Sequence, residues 1–179
     1  LRLLATQQFQ RAMRLILALG AIKRWSVELG DEPISIGLYV GNDSLPNTSA
    51  DLDREAEKWN NDSPSKIPLD KNHCPWCGGA LEYNANDHIF RCTSGHCPFN
   101  SGLPIYLCDE MVYQNPPTLL FGTVDKFAMI AHKVSTENNK DSRRLFRYNG
   151  NTPDLIIQDE LHLLCGPLGS AVGLFECAI

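Results

Sequence analysis

Leu155-Ile156-Ile157-Gln158-Asp159-Glu160-Leu161-His162 is the stretch on which the reading of this chain turns. An apolar run that ends in two adjacent acids and a histidine has the pattern of a buried parallel strand opening onto a site. In open α/β sheets, ligands sit outside the carboxyl ends of the strands. An Asp-Glu pair at such an end can hold Mg²⁺ through the first carboxylate and position water through the second. The acids stay at the mouth because burying them unpaired is costly. The plainer reading is a buried strand followed by a charged helix start, with Asp159 or Glu160 as a cap.

Working outward, apolar runs alternate with helical periodicity. Leu1 to Ala5 reads as a short strand, and Phe9, Met13, Ile16, Leu17 and Gly20 then share one helical face. Ile34 to Val40 is a second strand, closed by Gly41. Leu119-Leu120-Phe121 is a third, running into Gly122-Thr123-Val124-Asp125-Lys126, after which Phe127, Ile130, Ala131 and Val134 line a helix. The Asp-Glu segment supplies a fourth strand, and Gly169 opens another helix. Asp51 to Trp59 suits a short acidic helix capped by Asp51 or Ser49. Pro116-Pro117 enforces extended backbone before the third strand. Strands alternating with amphipathic helices predict βαβ units and a parallel sheet.

With these residues in view, the chain resembles a known family. Asp159-Glu160-Leu161-His162 looks like the DExH box of superfamily 2 helicases, the Walker B element of their first RecA-like domain. Gly122-Thr123-Val124-Asp125-Lys126 sits where that family carries motif Ib, and Thr6-Gln7-Gln8 follows its apolar run as motif Ia does. The longer phrases Thr123 to Ala128 and Asp159 to Gly169 resemble the helicase subunit of DISARM-type bacterial antiphage defence. The resemblance implies an α/β, RecA-like parallel sheet with helices on both faces, incomplete here. It implies that Asp159 binds the Mg²⁺ of Mg-ATP and that Glu160 orients and deprotonates the attacking water. His162 would link the nucleotide site to the nucleic-acid site. Thr6, Gln7, Thr123 and Lys126 would touch the phosphate backbone of a nucleic acid, DNA in a defence system whose other subunits are further partners. Against these stand plainer roles: local hydrogen bonding for His162, and helix N-capping for Thr6 and Thr123.

The departures from the family pattern carry weight too. No Gly-x-x-x-x-Gly-Lys-Ser/Thr loop occurs, and neither a second RecA-like domain nor its arginine finger is present. The expectation is an internal piece of a larger enzyme that by itself neither binds ATP tightly nor hydrolyses it. Residues 1–41 and 118–179 would be two parts of the RecA-like domain, and 42–117 an insertion.

Within that insertion, at about 70–101, lies the second strong signal. Cys74-Pro75-Trp76-Cys77-Gly78-Gly79 is a Cys-x2-Cys knuckle whose glycines allow a tight turn, and Cys92 and Cys97 follow. Four cysteines at this spacing suit one tetrahedral Zn²⁺ of the ribbon type, structural because a closed site leaves no position for water. The second pair is Cys-x4-Cys, so His96 is an alternative to Cys97, with His73 and Cys108 in reserve. Two disulfides are the competing reading. A small polar module gains from such an ion, which supplies roughly 10–16 kcal/mol in finger peptides. On that basis a chelator is expected to unfold residues 72–100 and leave the sheet largely intact. Trp76, Tyr83, Phe90 and Phe99 either stack on bases or, as is commoner, form the ribbon's own core.

Composition bounds these readings. The chain has 179 residues, with 16 Lys and Arg against 21 Asp and Glu, a net charge of −5, so it is not a globally basic nucleic-acid binder. Local basic tracks remain: Arg11, Arg14, Lys23 and Arg24, then Lys140, Arg143, Arg144 and Arg147. Either could meet phosphates, though a solvated face is the ordinary use of a charge run. No apolar stretch approaches the ~20 residues needed to span a bilayer. Seven cysteines without an export signal point to a reducing cytoplasm. Two further classes stay open: a binding module in which the Asp-Glu pair is incidental, and a metal-dependent nuclease, which would need a third acid that the sequence does not offer.

Overall fold

The computed structural model describes residues 2–23, 33–130, 134–137 and 140–159. Helix α1 (Arg2–Lys23) buries Phe9, Met13, Ile16 and Leu17, the face expected from periodicity. Arg2 to Ala5, within the run expected as a strand, supply the first turn of this helix, and Leu1 lies outside the described residues. Leu, Arg, Ala and Gln are all good helix formers, and no breaker separates the run from the periodic stretch behind it. A short apolar run cannot be told from a helix segment by its apolarity alone.

The centre of the fold is β1 (Ile36–Tyr39), buried along its whole length. It is flanked by β4 (Ile105–Tyr106) and β5 (Leu119–Gly122), both parallel to it, in the order β4-β1-β5. Ile36 lies opposite both Ile105 and Leu119, and Tyr39 lies opposite Gly122. An unbroken apolar strand is what a parallel strand covered on both faces requires. Gly122 ends β5 where space is lacking: a Cβ there would meet the Phe127 ring at 2.5 Å and the Tyr39 carbonyl oxygen at 2.9 Å. The short α4 (Val124–Ala128) follows, and Ala131 lies outside the described residues.

The run Leu155 to Asp159, expected as a fourth buried strand, pairs with no strand among the described residues. Leu155 is 74% exposed, Ile156 47% and Ile157 78%. Apolarity makes a segment eligible for a sheet, but a strand exists only where a neighbour offers its hydrogen-bonding edge. Glu160, His162 and the helix expected from Gly169 lie outside the described residues.

Helix α2 (Ser49–Asn60) is capped by Thr48, whose hydroxyl accepts from the Asp51 N–H at 3.1 Å and donates to the Asp51 carboxylate at 2.8 Å. The cap satisfies one N–H of the first turn, and the Ser49 N–H is met by the Glu110 carboxylate. The helix buries Leu52, Ala56 and Trp59. The Trp59 indole N–H donates to the Leu69 carbonyl at 2.6 Å, and its ring meets Phe90 edge-on at 5.3 Å. Phe90 belongs to an antiparallel hairpin of β2 (Leu81–Asn84) and β3 (Ile89–Cys92). After β4 comes α3 (Asp109–Gln114).

One apolar cluster runs without a break from Phe9 and Leu17 of α1, through Ile36 and Leu38, to Trp59, Leu81, Phe90, Phe99 and Cys74, Cys92 and Cys97. The stretch 42–117 also donates β4 to the main sheet. The ribbon is therefore not packed as a separate bead. Trp59→Ala, which opens the joint between α2 and the hairpin, is expected to cost about 3–5 kcal/mol in urea unfolding, with helix and hairpin signals still moving together.

Glu55, on the same helix, is drawn two ways. Burial pushes its carboxyl up, but hydrogen bonds from the Lys58 ammonium (2.7 Å) and the Lys66 N–H (2.8 Å) outweigh that and hold it below its ordinary value. A carboxylate so depressed stabilises the fold above its unfolded value and loses that contribution as the pH falls through the folded one. Glu55→Gln is expected to flatten the acid side of the urea-midpoint profile while lowering the midpoint at neutral pH.

Candidate functional site

Four thiols converge where the knuckle meets the end of β3. Cys74, Cys77, Cys92 and Cys97 carry sulfurs all within 4.8 Å of one another. Tetrahedral coordination with metal–sulfur bonds of about 2.3 Å implies sulfur–sulfur edges of about 3.8 Å, and the Cys77–Cys92 edge is 3.4 Å. All four are free thiols, each with its sulfur turned to a common point rather than paired off in two disulfides.

The local backbone explains the convergence. The Cys74 N–H donates to the Gly79 carbonyl at 2.5 Å, and the Gly78 N–H donates back to the Cys74 carbonyl at 2.9 Å. Gly78 takes a φ of +78°, which only glycine adopts cheaply. The turn then aims the Gly79 N–H at the Cys77 sulfur, 3.5 Å away. On the other side, the Cys97 N–H donates to Ser94 and the Cys92 N–H to Phe99, folding the second pair inward. His96, the alternative fourth ligand, is exposed and outside the cluster, as is His73; Cys108 is buried at the start of α3, away from the four.

Burial and the local N–H groups act on the thiols in opposite directions. Burial pushes the Cys97 thiol up to about 12 and also raises Cys92, while the Gly79 N–H holds the exposed Cys77 below its ordinary value. A soft divalent ion would reverse the effect of burial, since its charge stabilises thiolate directly. The donor set thus fits a metal ion of the zinc type, with every position filled by sulfur. Phe90 and Phe99 are buried beneath the site, and Tyr83 donates to Asp53 at 2.7 Å, so these aromatics serve as core and joint. Trp76 stays 42% exposed, edge-on to Phe99. Because this core is shared with α1 and β1, ion loss is expected to loosen the sheet as well as the ribbon, in place of melting confined to 72–100.

At the carboxyl ends of the strands, the residues read as nucleic-acid contacts occupy three different settings. Thr6 and Gln7 lie inside α1, Thr6 half-buried and Gln7 exposed, not at a strand end. Thr123 is buried directly after β5, and its hydroxyl has no hydrogen-bond partner. Lys126 is also buried: its ammonium meets the Asp109 carboxylate at 2.8 Å and the Asn47 side-chain oxygen at 2.9 Å. Asp109, Asn47, Tyr39 and Tyr113, which surround it among the described residues, carry no spacing signal in the sequence. The nearest hint was an acid, Asp109, set directly after the apolar run Leu103 to Cys108. Asp159 is exposed, and its neighbours Glu160 and His162 lie outside the described residues.

Of the two basic tracks, Arg11 and Arg14 are exposed on α1. In the second, Arg143 pairs with Asp141, Lys140 with Glu137, and Arg144 donates to the carbonyls of Tyr113 and Gln114. No helix among the described residues is long and apolar enough to cross a membrane.

No family model matches the chain. Over its whole length it is similar to the DISARM protein DrmA of Bacillus paralicheniformis, at 32% identity over 222 residues. The alignment takes in 100% of this chain and 20% of that protein, so the chain spans about a fifth of that relative's length.

Cobalt(II) titration of the reduced protein is expected to give thiolate charge-transfer bands and the visible bands of a tetrahedral all-sulfur site. Cys97→Ser should weaken and shift them, whereas His96→Ala should leave the spectrum unchanged. The opposite pattern would transfer the fourth position to the imidazole.

Proposed function

We propose that this chain is part of a DrmA-like protein of bacterial antiphage defence, and that it contributes to an ATP-driven nucleic-acid motor. The similarity to the DISARM protein over the whole chain is the observation that carries the reading. The parallel sheet β4-β1-β5 and the phrase Asp159-Glu160-Leu161-His162 are in keeping with it. In the longer polypeptide the sheet would belong to a RecA-like domain of the superfamily 2 type. Asp159 would hold the Mg²⁺ of bound Mg-ATP, Glu160 would take the proton of the attacking water, and His162 would couple that site to the nucleic acid, DNA by preference. Phosphoryl transfer in such enzymes depends on positioning and on stabilising developing charge, which suits acids held at a sheet's rim. Thr123, with Thr6 and Gln7, would face the phosphate backbone. The cysteine cluster would bind one structural Zn²⁺, with no open position for chemistry.

A second reading is a binding module without ATPase activity. It is favoured by the exposure of Leu155, Ile156 and Ile157, which pair with no strand among the described residues. One substitution separates the two. In the complete protein, Glu160→Gln is expected to reduce ATP hydrolysis by roughly a thousandfold or more while nucleotide affinity stays within a few fold. Unchanged hydrolysis, or none in the unsubstituted protein, would favour the binding module.

A further inference from the structure

The buried cluster around Lys126 joins the segments that leave all three parallel strands. Asn47 comes from the loop after β1, Asp109 from the start of α3 after β4, and Lys126 from α4 after β5. The Lys126 ammonium reaches Asp109 at 2.8 Å and Asn47 at 2.9 Å, and lies 5.1 Å from the centroid of the Tyr39 ring, itself the last residue of β1. The Tyr39 and Tyr113 hydroxyls are hydrogen-bonded at 2.8 Å, and Tyr113 donates to Asp109 at 3.5 Å. Backbone bonds lie alongside: the Glu110 N–H donates to the Asn47 carbonyl at 3.2 Å, and the Glu110 carboxylate accepts from the Ser49 N–H at 2.8 Å. Side chains of Lys126 and Asp109 are 7% and 6% exposed. A cation so enclosed, with its charge met by a carboxylate, does not present itself to a phosphate in solvent.

We infer that Lys126 is a positioning residue: its ion pair with Asp109 clasps the three strand-end segments and so sets where Thr123 meets the nucleic-acid backbone. The inference rests on the nucleic-acid reading above. The Lys126 and Thr123 N–H groups show the mechanical link, since the Lys126 N–H donates to the Thr123 carbonyl at 3.0 Å and the Thr123 N–H to the Tyr39 carbonyl at 3.2 Å. Moving Lys126 therefore moves the turn that carries Thr123. The Thr123 hydroxyl is as buried as Lys126 but, unlike its ammonium, has no hydrogen-bond partner, so it would reach a phosphate only where this turn opens.

The test uses the full-length protein and a labelled single-stranded oligodeoxynucleotide. Removing one partner strands a buried charge and endangers folding, whereas replacing both with apolar residues of similar size is tolerated in buried pairs. The double variant Lys126→Met with Asp109→Leu is compared with the unsubstituted protein. Folding is checked by circular dichroism and a thermal melt. The expected result is a folded protein whose half-saturating oligonucleotide concentration for ATPase stimulation rises roughly tenfold, with the rate at saturation unchanged. The slope of log affinity against log salt is also expected to be unchanged. A slope reduced by about one phosphate contact would make Lys126 a direct ligand and overturn the inference. Equal affinity in the two proteins, or a lower saturated rate at unaltered half-saturation, would make the pair purely structural and overturn it as well. An unsubstituted protein that binds no oligonucleotide would sink the nucleic-acid reading itself, an outcome distinct from these.

Discussion

The rest of the structure depends on one apolar core that continues from the cysteine cluster into the parallel sheet. Cys92 closes β3, and its N–H is held by the Phe99 carbonyl; the Leu103 N–H is in turn held by the Phe90 carbonyl at 2.7 Å. The chain then enters β4 and pairs with β1. The segment from Cys97 to Ile105 is thus pinned at one end by the thiols and at the other by the sheet. Trp59 locks the same region from the side, through the Leu69 carbonyl and the Phe90 ring. Because packed interiors transmit displacement rather than absorb it, the position of the thiols bears on the register of β4.

The polar cluster at the strand ends obeys a different constraint, that of charge in a low-dielectric interior. Among the described residues, the buried Lys126 ammonium is set against the buried Asp109 carboxylate. The tyrosines add hydrogen bonds without adding charge. Burial pushes both the Tyr39 and the Tyr113 hydroxyls well above the ordinary tyrosine range, and the Asp109 charge adds to the effect. Both hydroxyls are therefore neutral near neutral pH. Such an arrangement contributes little net stability over an apolar substitute, and its value lies in fixing one geometry among several. Three segments that could each move are held in a single relation to one another.

How much of this was legible depends on how local the deciding interaction is. Burial of β1 and the existence of helix α2 follow from runs a few residues long and are legible in outline, although the cap is Thr48 and not Asp51 or Ser49. Cys74, Cys77, Cys92 and Cys97 were readable because coordination geometry restricts spacing. Spacing alone could not choose between His96 and Cys97, which are adjacent; the turn that aims the Cys97 sulfur inward depends on the Ser94 and Phe99 backbone. Lys126 reads as a phosphate contact from its place in the Ib-like phrase; its pairing with Asp109 is not legible, because the two are remote in sequence and no pattern connects them. The run Leu1 to Ala5 was misread because helix and strand compete for the same apolar residues. Leu155 to Ile157 was read as a strand on apolarity, a property that says nothing about which edge is available for pairing.

The two clusters divide the work in a way the geometry makes intelligible. Four sulfurs around one point leave no vacant position for a water or a substrate, so an ion there can only hold structure. Strand carboxyl ends, by contrast, are where an α/β sheet exposes N–H groups and side chains to a ligand. The covalent path between the two is short, from Cys97 through Leu103, β4 and Cys108 to Asp109, and Leu103, Ile105, Leu107 and Cys108 along it are buried. Loss of the ion would free Phe99 and Leu103 from β3, slacken β4 against β1, and reach Asp109 at the start of α3. A change at the thiols would then be felt at Lys126 and Thr123 without any ligand passing between them. On this argument the ribbon sets the geometry of the strand ends, and an accessory role for it in gripping a partner is not needed to explain why it is folded into the same core.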